Sequence, residues 1–235
     1  MTDQRASPTI ADHRSRQGAR AGGRRLINQQ GQAMGRKGLA TRAKLVAACA
    51  ALLAHHGLRD LKVADIAKEA RTSPATFYLY FNDVTEAVLA AVGELSPATP
   101  AILALIDVDW GRSDPLPRAR EVAAAYAAYW ADHAALFHVR NLAADEGDER
   151  FRHAREKAVR PVLAILAAKS ADAVKRGWVP AHIDAHAAAG TILAMLERVS
   201  AVIRTPAARH IEADAMIDAA AWLIACTVAP VRQAV

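Results

Sequence analysis

The sequence predicts an all-α chain in two parts, a small N-terminal helix-turn-helix domain and a larger helical domain after it. Three observations carry this. Alanine and leucine make up much of a 53% hydrophobic composition, and β-branched clusters are few, which favours helices. Residues 39–95 fall into short amphipathic periods with capping residues at their starts. The 140 residues from 96 onward read as five or six further helices.

Residues 1–38 come first. They carry Arg5, Arg14, Arg16, Arg20, Arg24, Arg25, Arg36 and Lys37 against Asp3 and Asp12. That excess of +6 is the net charge of the whole chain, because residues 39–95 and 96–235 each balance. The segment is rich in Gly, Gln, Ser and Arg and is expected to be a disordered basic tail. Three readings fit it: a basic arm on a nucleic-acid groove, a solvated tail of little consequence, or an extension ahead of a true start at Met34.

The body opens with "TRAKLVAACAALLAHHG". Leu45, Val46, Cys49, Leu52 and Leu53 share one helical face, with Thr41 the expected N-cap and Gly57 the expected stop. "VADIAKEA" repeats the period with Val63, Ile66, Ala67 and Ala70 inward. After an "RTS" turn, Ser73 caps and Pro74 opens a short helix, "PATFYLYF", at a position where its missing N–H costs nothing. Asp83 and Glu86 form a capping box for a fourth helix that stops at Ser96-Pro97.

Two short helices joined by a tight turn inside a small bundle are the DNA-reading arrangement, with the second helix in the major groove. Thr72, Ser73, Ala75 and Thr76 would stand at base edges. Phe77 and Phe81, four apart, would anchor the helix from beneath. Tyr78 and Leu79 would face outward, with Tyr80 at the margin and the phenols reaching phosphates.

The run "TRAKLVAACAALLAHHGLRDLKVADIAKEARTSPATFYLYF", continuing into "EAVLAAV", resembles the TetR/AcrR family of bacterial transcription repressors. The resemblance implies that Thr72, Ser73, Thr76, Tyr78, Leu79 and Tyr80 take groove and phosphate positions. It places Lys44 near a flanking phosphate. It also implies a double-stranded operator, a small-molecule effector bound between the middle helices, and a homodimer through the last two helices. Three residues depart from the pattern. Lys62 stands where Thr or Ser caps the second helix, Arg71 where a glycine makes the turn, and Val84 where a lysine opens the fourth helix. An Arg71 in the left-handed region costs about 1 kcal/mol, and a phosphate contact would partly offset that.

In residues 96–235, "RAREVAAAYAAYWADHAALFHVRNLAAD" reads as one helix with an aromatic stripe of Tyr126, Tyr129, Trp130, His133 and Phe137. This stripe is the candidate effector site, with Trp110 and Trp178 as further walls; an ordinary packed core is the competing reading. "DERFRHAREKAVRPVLAILAAKSADAVKRG" reads as a long helix ending at Gly177, kinked or broken at Pro161. Two more helices follow, separated near Pro206. Ala187, Ala188, Ala189, Gly190 and Ala194 would let helices approach closely.

Other function classes leave little trace. The chain has no GxGxxG, P-loop, G-x-S-x-G, HExxH or CxxC, so no enzyme and no cofactor is expected. His182 and His186 are four apart but have no evident third ligand, so no metal is expected. Cys49 and Cys226 read as small core residues. The longest apolar run, Ala219 to Val231, is 13 residues, short of a membrane span. With no signal peptide evident, a cytoplasmic location is expected. The expected function is an operator-binding repressor released by a mostly apolar ligand. The alternatives are an effector-independent DNA-binding or architectural protein and an all-helical enzyme.

Overall fold

The structure, a computed structural model, describes residues 27–95, 100–203 and 211–230. Among them run ten α-helices: α1 (Arg36–Leu53), α2 (Val63–Glu69), α3 (Pro74–Tyr78), α4 (Val84–Glu94), α5 (Pro100–Ile106), α6 (Pro115–Asp132), α7 (Ala134–Asp145), α8 (Glu149–Lys175), α9 (Ala185–Val202) and α10 (Ala213–Val228). A 3₁₀ turn, Leu58–Asp60, joins α1 to α2.

Of the three capping residues expected from sequence, Ser73 and Asp83 open their helices and Thr41 does not. Ser73 Oγ accepts from Thr76 N at 3.2 Å, and Pro74 occupies the first helical position. Asp83 Oδ1 accepts from Glu86 N at 2.7 Å. The return half of that box goes to the preceding residue: Glu86 Oε2 accepts from Asn82 N at 2.7 Å. The exception is Thr41. Helix α1 begins at Arg36, so Thr41 lies inside it and donates to Lys37 O at 3.1 Å. Gly35 takes the N-cap with extended backbone, because Arg36, Lys37, Leu39 and Ala40 are good helix formers and outweigh Gly38. Gly57 is not a left-handed stop either; its φ is −71° and ψ 160°. The chain leaves α1 through a turn in which His55 N and His56 N both donate to Leu52 O.

Two hydrophobic cores result. The first gathers α5, α6, α8, α9 and α10 around Ile106, Val122, Leu166, Leu196 and Ile224. The second gathers α1 to α4 around Leu45, Cys49, Ile66, Phe77 and Val88. Full burial of each such large side chain stabilises the fold by about 1.5–3 kcal/mol. The second core is not closed by the N-terminal residues alone. Leu136, Val139 and Ala143 of α7 and Phe151 of α8 complete it, while Phe137 of α7 packs in the first. Helices α7 and α8 therefore each belong to both cores, α8 through Phe151 in the second and Val162 and Leu166 in the first.

The aromatic stripe does not lie on one helix. His133 has φ −128° and ψ 20°, which ends α6 and starts α7. Helix α8 runs unbroken through Pro161 and closes at Gly177 (φ 73°). The separation near Pro206 lies outside the described residues, as do residues 1–26. The end of the basic segment is folded: Ile27 and Ala33 pair in an isolated antiparallel bridge around a tight turn.

Candidate nucleic-acid interface and effector core

At the N-terminal end, α2 closes in a Schellman motif. Thr72 N donates to Ala67 O at 2.8 Å and Arg71 N to Lys68 O at 3.0 Å. The motif needs a left-handed residue at position 71, and Arg71 supplies it with φ 53°, the one non-glycine residue of positive φ among those described. Lys62 stands at the start of α2 and makes no side-chain cap.

The motif turns the chain so that α3 presents one face outward. Tyr78 is 53% and Leu79 40% exposed. Ser73 is exposed, and Thr72, Thr76 and Tyr80 are half-buried. Phe77 and Phe81 lie beneath, ring centroids 5.5 Å apart and both buried. The Ser73 hydroxyl is occupied as a cap and also shares a 3.0 Å hydrogen bond with Thr76 Oγ1. Lys44 on α1 and Arg71 after α2 line the same surface hollow of ≈440 Å³ together with Glu69. Val84 packs against the second core.

The upstream turn also reaches this face. Gln29 N donates to Leu79 O at 3.0 Å, and Gln29 Nε2 lies 3.3 Å from both Glu86 carboxylate oxygens. The sequence pattern carries no signal for that contact, because the partners are 50 and 57 residues apart.

In the first core, Tyr126, Trp130 and Phe137 are buried and Tyr129 and His133 half-buried. Trp130 and Phe137 stack with centroids 4.9 Å apart, and Tyr129 sits 5.0 Å from His133 and 5.5 Å from Phe137. Tyr126, Tyr129, Trp130 and Phe137 line a void with Arg140, Ala158 and Val159. It measures only ≈10 Å³, room for about one water. Burial holds the Tyr126 phenol well above its ordinary pKa. Trp110 and Trp178 do not line this void. Trp110 is buried and donates from Nε1 to Ile106 O at 3.0 Å. Trp178 lies under Arg176, whose guanidinium carbon is 4.7 Å from the ring centroid, and a Cβ on Gly111 would come within 2.6 Å of it.

Sequence reasoning missed the charged residues of this core. Arg140 is 3% and Glu197 6% exposed. Arg140 Nη2 donates to Glu197 Oε1 at 3.1 Å and Nε to Asn141 Oδ1 at 2.9 Å. Arg155 Nη2 donates to Glu197 Oε2 at 2.9 Å. The Arg140 guanidinium lies 4.8 Å from the Phe137 centroid. Burial pulls its pKa down and Glu197 pushes it back up. A signal existed for half of this: Arg140 follows Phe137 by three and Glu197 follows Leu193 by four, so each is a charge on an apolar helical face. The pairing is not in the pattern.

Elsewhere, Ile183, Ala187, Thr191, Trp222 and Leu223 are exposed on α9, α10 and the loop before α9. Between the two helices is a mostly apolar hollow of ≈540 Å³. His182 and His186 are both exposed, and no three His, Cys, Asp or Glu among the described residues are placed to hold a metal. Cys49 is buried, its pKa pushed up to about 12, while Cys226 is half-buried. No helix among the described residues is long and apolar enough to cross a membrane.

A family model described as "Tetracyclin repressor-like, C-terminal domain" matches residues 105–232, and "Bacterial regulatory proteins, tetR family" matches residues 45–92. No curated protein matches the sequence. Among solved structures, the fatty acid degradation regulator FadR from Bacillus halodurans is 18% identical with TM-score 0.58, covering 82% of this chain and 96% of that one. FadR from Bacillus subtilis in complex with stearoyl-CoA is 16% identical with TM-score 0.60, covering 81% and 99%. GusR from Salmonella enterica is 19% identical with TM-score 0.60, covering 81% and 96%. At such identities the likeness is one of fold.

Proposed function

The chain belongs to the TetR family of bacterial transcriptional regulators, and on that footing we propose that it is a dimeric, cytoplasmic repressor released from its operator by a small, mostly apolar ligand. The observation that carries the reading is the double membership of α7. Its Leu136, Val139 and Ala143 pack with the helix-turn-helix, and its Phe137 and Arg140 face the aromatic core. A ligand that parts α6, α7 and α8 therefore moves a helix on which the DNA-reading unit rests.

On the DNA side, Thr76 reads a base edge, while Tyr78, Tyr80, Lys44 and Arg71 hold phosphates, with Leu79 against the groove wall. Thr72 and Ser73 fix the start of α3 at the DNA surface. On the effector side, Tyr126, Tyr129, Trp130, His133 and Phe137 receive the ligand, with Trp110 and Trp178 as outer supports. A second copy covers the exposed face of α9 and α10. Trp222, Leu223 and Ile183 are 51%, 45% and 36% exposed there, and a Cβ on Gly190 would meet nothing within 4 Å in the lone chain. In such a dimer the two α3 helices must sit about 34–36 Å apart to enter successive major grooves. A ligand that favours another spacing releases the DNA.

A second reading, an effector-independent DNA-binding protein, is supported by the near-filled void of ≈10 Å³. One experiment separates them. A genome-wide footprint defines the operator, and compounds handled by the flanking genes are titrated into the protein–operator complex. Release by any of them at the expense of operator affinity supports the repressor, and a complex indifferent to all supports the second reading. Light scattering of Leu223→Arg, expected to halve the mass, tests the dimer.

A further inference from the structure

We propose that the effector is an amphiphile with an acidic head group and that Arg140 receives that group. This rests on the reading of the α6–α8 core as the effector site. Arg140 is the one charged residue lining the aromatic void. Its guanidinium is already over Phe137 and tied to Glu197 of α9. Glu197 is shared: its other oxygen holds Arg155. Two guanidiniums thus divide one buried carboxylate. The further partner of Arg155, Asp145 at 3.4 Å, is 72% exposed at its side chain and largely screened by water. Counted with Asp145 the charges balance, so Arg140 holds only a share of one buried carboxylate beside an apolar space.

The size of the void makes that sharing decisive. At ≈10 Å³ it admits no ligand until α7 moves. Movement of α7 away from α9 breaks the Arg140–Glu197 bridge and leaves a buried guanidinium short of a partner, which is costly. A carboxylate or phosphate replaces the lost partner with charge-assisted hydrogen bonds. A neutral ligand does not. A quaternary ammonium, which aromatic faces otherwise attract, meets Arg140 already occupying Phe137. The apolar body of the acid then lies among Tyr126, Trp130 and Val159.

The test uses four ten-carbon probes below their micelle concentrations on the full chain: decanoate, decyl phosphate, 1-decanol and decyltrimethylammonium. Affinity is read by calorimetry. One or both acids should bind at least about tenfold more tightly than decanol, and the ammonium no more tightly than decanol. Which acid binds better tells a carboxylate head from a phosphate. Arg140→Gln should erase the preference for acid. Because that variant unbalances Glu197, the neutral pair Arg140→Gln with Glu197→Gln is measured beside it and should give the same loss. Glu197→Gln alone should widen the preference. Equal binding of decanol and the acids overturns the acidic head group while leaving the effector site standing. An acid preference that survives Arg140→Gln overturns the assignment to Arg140. Failure of all four to bind overturns the proposal and the effector site together.

Discussion

The helix-turn-helix and the α6–α8 core each gather polar groups for recognition, but they do it in opposite ways. On the DNA side the groups lie at the surface, exposed or half-buried, and are positioned by neighbours within a few residues: Ser73 caps for Thr76, and Arg71 turns the chain for Thr72. On the effector side the groups are buried and positioned across the chain. Arg140 and Arg155 meet Glu197 from 57 and 42 residues away. The first arrangement is a preformed surface that can be read locally. The second is a closed packing that, on the proposed function, a ligand has to reopen.

The contrast can be broken most severely at Arg140. Arg140→Ala should cost about 3–5 kcal/mol of stability, because it strips a buried carboxylate of one partner. Urea denaturation should show it as a fall in midpoint at constant slope. Arg140→Met combined with Glu197→Leu should recover much of that loss, since no buried charge is left unpaired. If the single change costs under 1 kcal/mol, the bridge does not hold the core closed.

On the DNA side the expected effects are on recognition and not on folding. Thr76→Ala should lose about 1–3 kcal/mol of discrimination at one operator position, whereas Tyr78→Phe should weaken binding uniformly across sequences. A panel of single-base operator variants separates the two. Identical profiles would remove the distinction between base and phosphate contacts.

The next effect pits the two properties against each other within one residue. Arg71→Gly relieves a left-handed side chain and should stabilise the fold by up to about 1 kcal/mol, while losing one phosphate contact and lowering the salt slope by about 1. Thermal melts and binding at several salt concentrations measure both. A variant that gains stability and keeps the full slope would place Arg71 away from DNA.

The smallest effect concerns the upstream segment. Deleting residues 1–26 removes six arginines and should flatten the salt dependence without altering operator preference. Deleting residues 1–33 should in addition cost about 0.5–1.5 kcal/mol, as the Gln29 N–H bond to Leu79 O is lost. Equal stability of the two truncations would make the docked turn inconsequential.

These pairs also explain what was legible in the sequence. The starts of α3 and α4 and the Phe77–Phe81 anchor were readable, because each depends on residues within one turn, whereas the left-handed Arg71 was signalled only by the family resemblance. The early start of α1 was not, since Thr41 looks like a cap while "RKGLA" merely permits a helix. The break at His133 was hidden by an aromatic spacing that a continuous helix would share. The Arg140–Glu197–Arg155 cluster was out of reach for a different reason: its energy comes from burial and from partners on three helices, neither of which a local period encodes.

The central claim is that α7, which packs with α8 into both cores, makes the buried core and the DNA face alternatives of each other. The direct measurement is anisotropy of a labelled operator duplex held by the full chain as the best-binding acid probe is added at fixed salt. The account predicts release, with operator affinity falling about 100-fold at saturation, a coupling of about 2.7 kcal/mol that operator must return by weakening the acid equally. Anisotropy that stays constant while calorimetry shows the acid bound would contradict it.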